Sequence, residues 1–222
     1  MFCEPLDDKI LQSAIDFQAA SNNAVLVGGS AAAFYAHHRE SYDHDHVIQN
    51  LPDCYEAILG SLEETGNWEM SDHSSYPYTI LGMYNGVQAG FRNLRRETPI
   101  ESVLVDIPNM GQLRIPTDEE ILRVKAYLVV TRNAVRDYLD VTALADYHGR
   151  ETVKILSTLP EYYVADSGDI LERLITRLSE CAPRDANTIS NLPTYKGIVA
   201  PYGSWDYISE RCQEIAGELT QA

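Results

Sequence analysis

Two aspartates separated by a single residue are the side chains in this sequence best suited to chemistry. Asp43 and Asp45 belong to the run Asp-His-Asp-His. Because side chains alternate between the two faces of a β-strand, the two carboxylates project together, and His44 and His46 share the other face. Neighbouring carboxylates repel each other, and a divalent cation bound between them removes this repulsion. The spacing therefore predicts a strand that presents a carboxylate pair to a metal ion.

A glycine turn precedes the acidic pair. The apolar run at 25–27 ends in Gly28-Gly29-Ser30, and a segment of small residues follows at 31–36. Glycine lets the backbone approach a phosphate closely, and the free N–H groups at the start of a helix favour an anion. The order strand, glycine turn, helix and acidic strand therefore predicts a phosphate-binding turn that faces a metal site.

The two histidines of the acidic strand offer an alternative metal site. His44 and His46 share one strand face and supply two nitrogen ligands of the kind that transition metals bind. No third ligand follows at a spacing typical of such sites. We therefore expect each of these histidines to face the core or the solvent.

The composition is that of an acidic globular protein. The 222 residues are 45% hydrophobic and 23% charged, which permits a sizeable core in one large or two small domains. The net charge of −16 arises from 17 basic and 33 acidic residues. Such a charge opposes nonspecific binding to nucleic acid, because that binding depends on neutralising phosphates.

Three features of the sequence predict a cytoplasmic protein. No apolar run approaches the roughly 20 residues that span a bilayer. The acidic N-terminus lacks the basic region of a secretory signal. The cysteines are scattered and form no C-x-x-C pair, which is typical of a reduced compartment and of a protein without a zinc knuckle. They are Cys3, Cys54, Cys181 and Cys212.

Periodicity and turn signals divide the chain into a mixed α/β part and a helical part. Asn85-Gly86 between two apolar runs is a strong hairpin signal, because both turn residues take positive φ. A capping pattern of Thr117 with Glu120 begins a helical region. The predicted helices are 7–20, 51–64, 117–147, 151–159, 168–181 and 204–219, and the predicted strands are 25–27, 43–48, 68–71, 78–84, 87–92, 101–107 and 112–115. We predict an α/β (α+β) domain with a mixed sheet at 1–116, followed by an α-helical domain at 117–222.

The glycine turn, the twelve residues that follow it and the acidic pair resemble the nucleotidyltransferase fold of the DNA polymerase β superfamily. Within that superfamily the chain is similar to the AbiEii/AbiGii-type nucleotidyltransferases, which include toxins of toxin–antitoxin pairs. The family pattern K…R…RD..D matches the segment RVKAYLVVTRNAVRDYLD, in which Lys125 and Asp140 are fifteen residues apart. The resemblance covers most of residues 24–148.

The segment at 117–147 is expected to be one helix. At about 100° per residue, Lys125 and Asp140 fall along one border of the buried stripe, and Asp137 points outward. An ordinary salt-bridge ladder between Arg136 and Asp140 is the structural alternative for this helix. The upstream glycine turn and acidic pair favour the functional interpretation.

The resemblance implies Mg²⁺-dependent (or Mn²⁺-dependent) transfer of a nucleoside monophosphate from a nucleoside triphosphate. Asp43 and Asp45 would then hold the metal with a third carboxylate from a neighbouring strand. Asp106 ends an apolar strand and is the best-placed candidate, with Glu101 as the alternative. An aspartate that caps the following turn would explain Asp106 without any metal.

The remaining implied roles concern the nucleotide. The turn Gly28-Gly29-Ser30 would cradle the triphosphate, Lys125 would neutralise phosphate charge, and Asp140 would help to build the active site. Five arginines near the sheet-to-helix junction give a further hypothesis of contact with triphosphate or an RNA acceptor, although charged hairpin ends are usually solvated. They are Arg92, Arg95, Arg96, Arg114 and Arg123.

The sequence leaves the acceptor open. In the resembled family it is a tRNA end, a protein or a small molecule, and the charge of −16 favours an acceptor other than a large nucleic acid. A cognate antitoxin is a possible partner, and no membrane partner is expected. Two alternatives are a catalytically retired nucleotidyltransferase-fold protein with a binding or regulatory role, and a small-molecule adenylyltransferase of the antibiotic-modifying type.

Overall fold

The structure is a computed structural model that describes residues 6–166 and 168–222. Of these residues, 6–31 and 41–117 form one compact unit, and 32–40 with 118–222 form a second. The sequence-based boundary placed 32–40 in the first domain, whereas its contacts assign it to the second unit. Cys3 and the start of the N-terminal segment used to argue against a secretory signal lie outside the described residues.

The first unit is built on a five-stranded mixed sheet. The strands are β1 (Val25–Val27), β2 (Asp43–Ile48), β3 (Trp68–Met70), β4 (Thr79–Tyr84) and β5 (Val87–Asn93), in the spatial order β1-β2-β5-β4-β3. β2 and β5 are parallel, and the other neighbours are antiparallel. A separate two-stranded sheet contains β6 (Ser102–Ile107) and β7 (Gly111–Pro116). The helices that begin in this unit are α1 (Asp8–Gln18), α2 (Gly28–Ala36) and α3 (Leu51–Glu64).

Local sequence signals account for these elements. The β4–β5 turn contains Asn85 at φ 51° and Gly86 at φ 72°, as the hairpin signal predicts. Asp7 caps α1 by accepting hydrogen bonds from the backbone N–H groups of its first turn. Phe17 of α1 is fully buried and stacks on Phe91 of β5, with ring centroids 4.2 Å apart. This contact packs α1 on one face of the sheet and leaves the other face for the acidic pair.

The second unit is helical. Its elements after residue 117 are α4 (Asp118–Thr131), α5 (Val135–His148), α6 (Thr152–Ser157), α7 (Leu159–Tyr162), α8 (Ile170–Glu180) and α9 (Trp205–Gln221), with 3₁₀ segments at Gly149–Glu151, Val164–Asp166 and Ala186–Thr194. The predicted fold class, a mixed α/β domain followed by helices, is confirmed. Within the described residues no helix has both the length and the apolar character needed to cross a membrane.

The expectation of one continuous helix at 117–147 is wrong. The chain breaks between α4 and α5, where Asn133 adopts φ 56° and its side chain donates to the carbonyl of Ala182. The break is further held by Asp185, whose carboxylate accepts from the backbone N–H of Val135 at 2.8 Å. These tertiary bonds replace helical hydrogen bonds, so a single helical wheel does not describe the segment.

Asp137 differs from its prediction for the same reason. It is fully buried instead of pointing outward, and its carboxylate accepts from Arg132 Nε at 2.7 Å. Because Arg132 precedes the break and Asp137 follows it, the pair spans the two helices. This ion pair, in which Asp137 is buried and Arg132 is partly exposed, connects α4 to α5 across the break.

Candidate functional site

The acidic pair lies on one face of β2. Asp43 and Asp45 are partly exposed, while His44 and His46 between and after them are buried, so the predicted alternation is confirmed. Asp45 is paired with Val27 of β1 on one side and with Gly90 of β5 on the other. The acids therefore project from the interior of the sheet and not from an edge strand.

Two glycines surround Asp45. Gly28 adopts φ +75°, which side chains rarely allow, and a Cβ there would lie 3.7 Å from Asp45 Cβ. At Gly90 a Cβ would lie 2.5 Å from the side chain of Leu81 and 3.4 Å from Asp45 Oδ1. The glycine turn therefore comes close to the acidic pair, as the sequence predicted, and Gly90 of β5 presents only backbone to Asp45.

Ser30 occupies a different place from the one expected of a phosphate ligand. Its side chain is buried, and its hydroxyl donates to the carbonyl of Asp43 and lies 2.9 Å from Ser41 Oγ. Ser41 in turn donates to Asp43 Oδ1 at 3.1 Å. These bonds tie the first turn of α2 to the start of β2, so Ser30 positions the acidic strand.

Arg92 contacts Asp45, a pairing that the sequence did not predict. Its Nε lies 3.3 Å from Asp45 Oδ1, and 47% of the Arg92 side chain and 38% of the Asp45 side chain are exposed. Ion pairs with this exposure contribute only about 0–1 kcal/mol to stability. A cation that binds Asp45 would therefore replace Arg92 at little cost.

Asp106 does not lie on a strand beside β2, and this part of the prediction is wrong. β6 pairs with β7 in the separate sheet, and Asp106 there accepts a hydrogen bond from Gln112 at 2.9 Å. The strands next to β2 are β1, which is antiparallel to it, and β5, which is parallel to it. The alternative, Glu101, immediately precedes β6 and is exposed.

The acidic pair without a third carboxylate still fits a Mg²⁺ site. The β5 residues paired with Asp43 and Asp45 are Gln88 and Gly90. In the described part of the chain, no three His, Cys, Asp or Glu side chains are placed to hold a metal together. Mg²⁺ usually binds proteins through one or two carboxylates and completes its shell with water and substrate phosphates. Two aspartates beside the glycine turn match that donor set.

The buried histidines form a hydrogen-bonded chain. Ser13 Oγ donates to the carbonyl of Tyr84, so it accepts from His44 Nε2 at 3.0 Å. His44 Nδ1 then accepts from His46 Nε2 at 3.1 Å, and His46 Nδ1 accepts from the Gln18 amide at 3.3 Å. Every ring nitrogen is used within the protein and both rings are neutral, which argues against the alternative transition-metal site.

The histidine chain predicts acid sensitivity. Burial lowers the pKa of His44 from 6.5 to about 4, although Asp43 opposes the shift, and burial lowers the pKa of His46 well below 6.5. The unfolded state therefore binds more protons, and stability falls as the pH drops from 6.5 towards 4, by about 3 kcal/mol for His44 alone. Urea unfolding in EDTA at several pH values measures this slope. The loss should shrink in a His44→Gln variant, and a pH-independent midpoint between 6.5 and 4.5 would contradict it.

Lys125 and Asp140 meet in the second unit. Lys125 Nζ lies 2.7 Å from Asp140 Oδ2, and both side chains are buried. They belong to α4 and α5 respectively, so two packed helices bring them together and not one shared helix edge. The structure therefore joins the two residues that the motif identified, by a geometry different from the predicted one.

Two further residues hold Asp140, and sequence reasoning missed both. His38 Nε2 and Arg39 Nε donate to Asp140 Oδ1 at 2.8 and 3.0 Å. Burial favours a raised pKa for the Asp140 carboxyl, but Arg39, Lys125 and His38 outweigh it and hold that pKa well below 3.8. Burial lowers the pKa of His38 despite its bond to Asp140. The pair His38-Arg39 follows a small-residue helix with no periodic pattern, and only the fold reveals its partner.

Comparison of the sequence with known proteins gives partial matches. No family model matches the chain. The heme uptake protein MmpL11 of Mycobacterium tuberculosis and the probable transport protein MmpL11 of Mycobacterium bovis are each 32% identical over 126 residues. The mycolic acid-containing lipids exporter MmpL11 of Mycolicibacterium smegmatis is 26% identical over 129 residues. These alignments cover 55% of this chain but only 12–13% of the length of those proteins.

Comparison with solved structures identifies the fold. MenT4, a nucleotidyltransferase toxin from Mycobacterium tuberculosis H37Rv, superposes with a TM-score of 0.59 over 97% of this chain and 83% of MenT4, at 14% identity. The antibiotic-resistance factor ANT(2'')-Ia gives a TM-score of 0.50 over 72% of this chain and 96% of its own, also at 14% identity. The protein therefore has a nucleotidyltransferase-like fold, a mixed sheet with helices followed by C-terminal helices.

Proposed function

We propose that this protein is a Mg²⁺-dependent nucleotidyltransferase that uses a nucleoside triphosphate. The observation that carries this proposal is the position of Asp43 and Asp45, which share a sheet face beside the positive-φ turn at Gly28. Two carboxylates hold a cation, and the backbone N–H groups of the turn donate to phosphate oxygens, so together they match a cation-bound triphosphate. The fold shared with MenT4 supports the same class of reaction.

The proposed reaction transfers a nucleoside monophosphate to an acceptor hydroxyl. The hydroxyl oxygen bonds to the α-phosphorus, the bond between the α-phosphorus and the bridging oxygen breaks, and pyrophosphate leaves with the electron pair. The hydroxyl proton is released to solvent. When bound, Mg²⁺ supplies positive charge that lowers the pKa of the hydroxyl and screens the pyrophosphate.

The residues of the first unit position these groups. Ser30 and Ser41 hold the start of β2 against α2, so the spacing between the turn and Asp43 is fixed before substrate binds. Arg92 neutralises Asp45 in the absence of another cation. The predicted role of Lys125 in neutralising phosphate rests on the resemblance, since its ammonium group contacts Asp140.

A binding protein on a retired nucleotidyltransferase scaffold is the second candidate. The ion pair between Arg92 and Asp45 favours it, because an arginine there substitutes for a metal ion. The transport roles of the MmpL11 proteins are not assigned to this chain, because the alignment covers so little of their length. The identity of the acceptor, and not the fold, decides whether a transferase of this kind is a toxin with a cognate antitoxin or an enzyme that modifies a small molecule.

Calorimetric titration with each nucleoside triphosphate, with and without Mg²⁺, tests the proposal. We expect at least one triphosphate to bind with an affinity that depends on Mg²⁺, and Asp43→Ala to abolish that dependence. Incubating α-labelled triphosphates with separated RNA, protein and small-molecule fractions of a lysate should then show which fraction gains label. The transferase proposal fails if no triphosphate binds in Mg²⁺ or Mn²⁺, or if Asp43→Ala binds with unchanged metal dependence.

A further inference from the structure

The first unit contains a cavity of about 450 Å³ to which no role has been assigned. Val25 and Val47, which are paired across the β1–β2 ladder, line it. Paired side chains point to one side of a sheet, and Val47 lies two residues after Asp45, so the cavity opens on the face that carries the acidic pair. Small-molecule sites typically have volumes of about 300–1,000 Å³, a range that includes this cavity.

The cavity and the glycine turn lie at opposite ends of β2. A strand rises about 3.3 Å per residue, so Val47 is about 7 Å from Asp45 along the strand and about 13 Å from Asp43. Ser30 of the turn bonds to Asp43, at the start of the strand. A molecule in the cavity and a triphosphate at the turn would therefore reach the acids from opposite directions.

The lining combines an apolar wall with side-chain amides. Leu94, Pro99 and Ile100 provide the wall next to the two valines. Asn23 and Asn50 also line the cavity, and within the described ranges their side-chain amides form no hydrogen bond. Apolar walls suit the faces of a planar ring, and amides suit its hydrogen-bonding edge. The lining therefore fits a heterocyclic base better than an aliphatic chain.

Arg114 adds a cation to the same cavity. Its backbone N–H is fixed by Gln18 Oε1 at 2.7 Å, while its half-buried guanidinium has no ion pair or hydrogen bond to any residue that the structure describes. A guanidinium group binds phosphate through two parallel hydrogen bonds. In a chain of net charge −16, a guanidinium group left available in a cavity is a specific place for an anion.

We propose that this cavity binds a nucleoside monophosphate unit, with its base against the apolar wall and the amides and its phosphate on Arg114. An aliphatic acid would leave the amides unused, and a neutral sugar would leave Arg114 without an anion. Two sources carry this unit, a free nucleotide and the end of an RNA strand. The bound unit supplies the acceptor hydroxyl, and this role rests on the proposed function. Binding of the unit in the cavity does not depend on the proposed function.

Titration of AMP, GMP, CMP and UMP into the full-length protein in EDTA tests the site. At least one nucleotide should saturate the wild type, and Arg114→Gln should weaken it about 10- to 100-fold, the usual effect of losing a charged hydrogen bond. Arg150→Gln is the control, because this arginine is exposed and does not line the cavity. It should change the affinity less than about twofold, and Asn23→Ala should weaken binding about two- to tenfold.

An Asp45→Asn variant separates this proposal from the proposed function. It should bind the monophosphate as the wild type does, while losing metal-dependent triphosphate binding. A short single-stranded RNA, titrated in parallel with the free nucleotide, shows whether the ligand is an RNA end or a free nucleotide. Tighter binding of either ligand supports the proposed site. The proposal is overturned if neither ligand saturates the wild type, or if Arg114→Gln and Arg150→Gln weaken binding equally.

Discussion

Replacing Asp45 with asparagine is expected to lower nucleotidyl transfer by about 10²–10³-fold or more, with the fold intact. The substitution removes one of the two carboxylates that hold the cation, and loss of a single electrostatic stabiliser of a transition state has an effect of this size. Stability should change by less than about 1 kcal/mol, because the pair with Arg92 is half exposed. The rates of label transfer and pyrophosphate release measure the activity, and circular dichroism checks the fold.

Asp106→Asn is the matched control for this prediction. It removes the same charge from an exposed strand position of the same unit, but Asp106 lies in the separate sheet and bonds to Gln112. We expect its transfer rate to stay within about twofold of the wild type. A full loss of activity in Asp106→Asn, or an Asp45→Asn variant within tenfold of the wild type, would contradict the two-carboxylate site.

Replacing Asp140 with asparagine is expected to destabilise the protein by about 3–5 kcal/mol. The substitution leaves the charges of Arg39 and Lys125 buried without their shared carboxylate, and uncompensated buried charge is among the most costly defects. For a chain of this size, such a loss lowers the melting temperature by roughly 6–20 °C. Urea unfolding and thermal melts of the full chain measure it.

Asp169→Asn provides the control for Asp140→Asn. Asp169 is exposed and lies 3.5 Å from Arg173 one helical turn away, so its loss should cost less than about 0.5 kcal/mol. Adding Lys125→Met to Asp140→Asn should recover part of the stability, because it removes one of the two buried cations that lose the Asp140 carboxylate. An Asp140→Asn variant within 1 kcal/mol of the wild type would show that the cluster is not a structural centre.

The acidic strand shows how far local sequence reasoning extends. The alternation of Asp43, His44, Asp45 and His46 fixed which side chains project together, because a strand has a period of two residues wherever it lies. The glycine turn was also predictable from the sequence, since Gly28 needs a positive φ that other residues rarely adopt. Features that depend only on neighbours along the chain were therefore predictable.

Strand order lay beyond the sequence. Asp106 lies near the end of an apolar strand, as the sequence indicated. Its position relative to β2 depends on which hairpin pairs with β2 in the sheet. The sequence offers more than one strand for that position, and packing across the whole unit determines which strand occupies it. The partnership of Asp45 with Arg92 follows from the same strand order.

The residues around Asp140 show most clearly which features the sequence determines and which features depend on the tertiary structure. By itself the sequence determined that Lys125 and Asp140 are fifteen residues apart and match one pattern of the resembled family, because residue types and separations are linear properties of the chain. Only the tertiary structure decided that they meet across a break between two helices and share their charges with His38 and Arg39. The reason is that a buried charge must be compensated from whatever element packs beside it, and that neighbour comes from a hundred residues away.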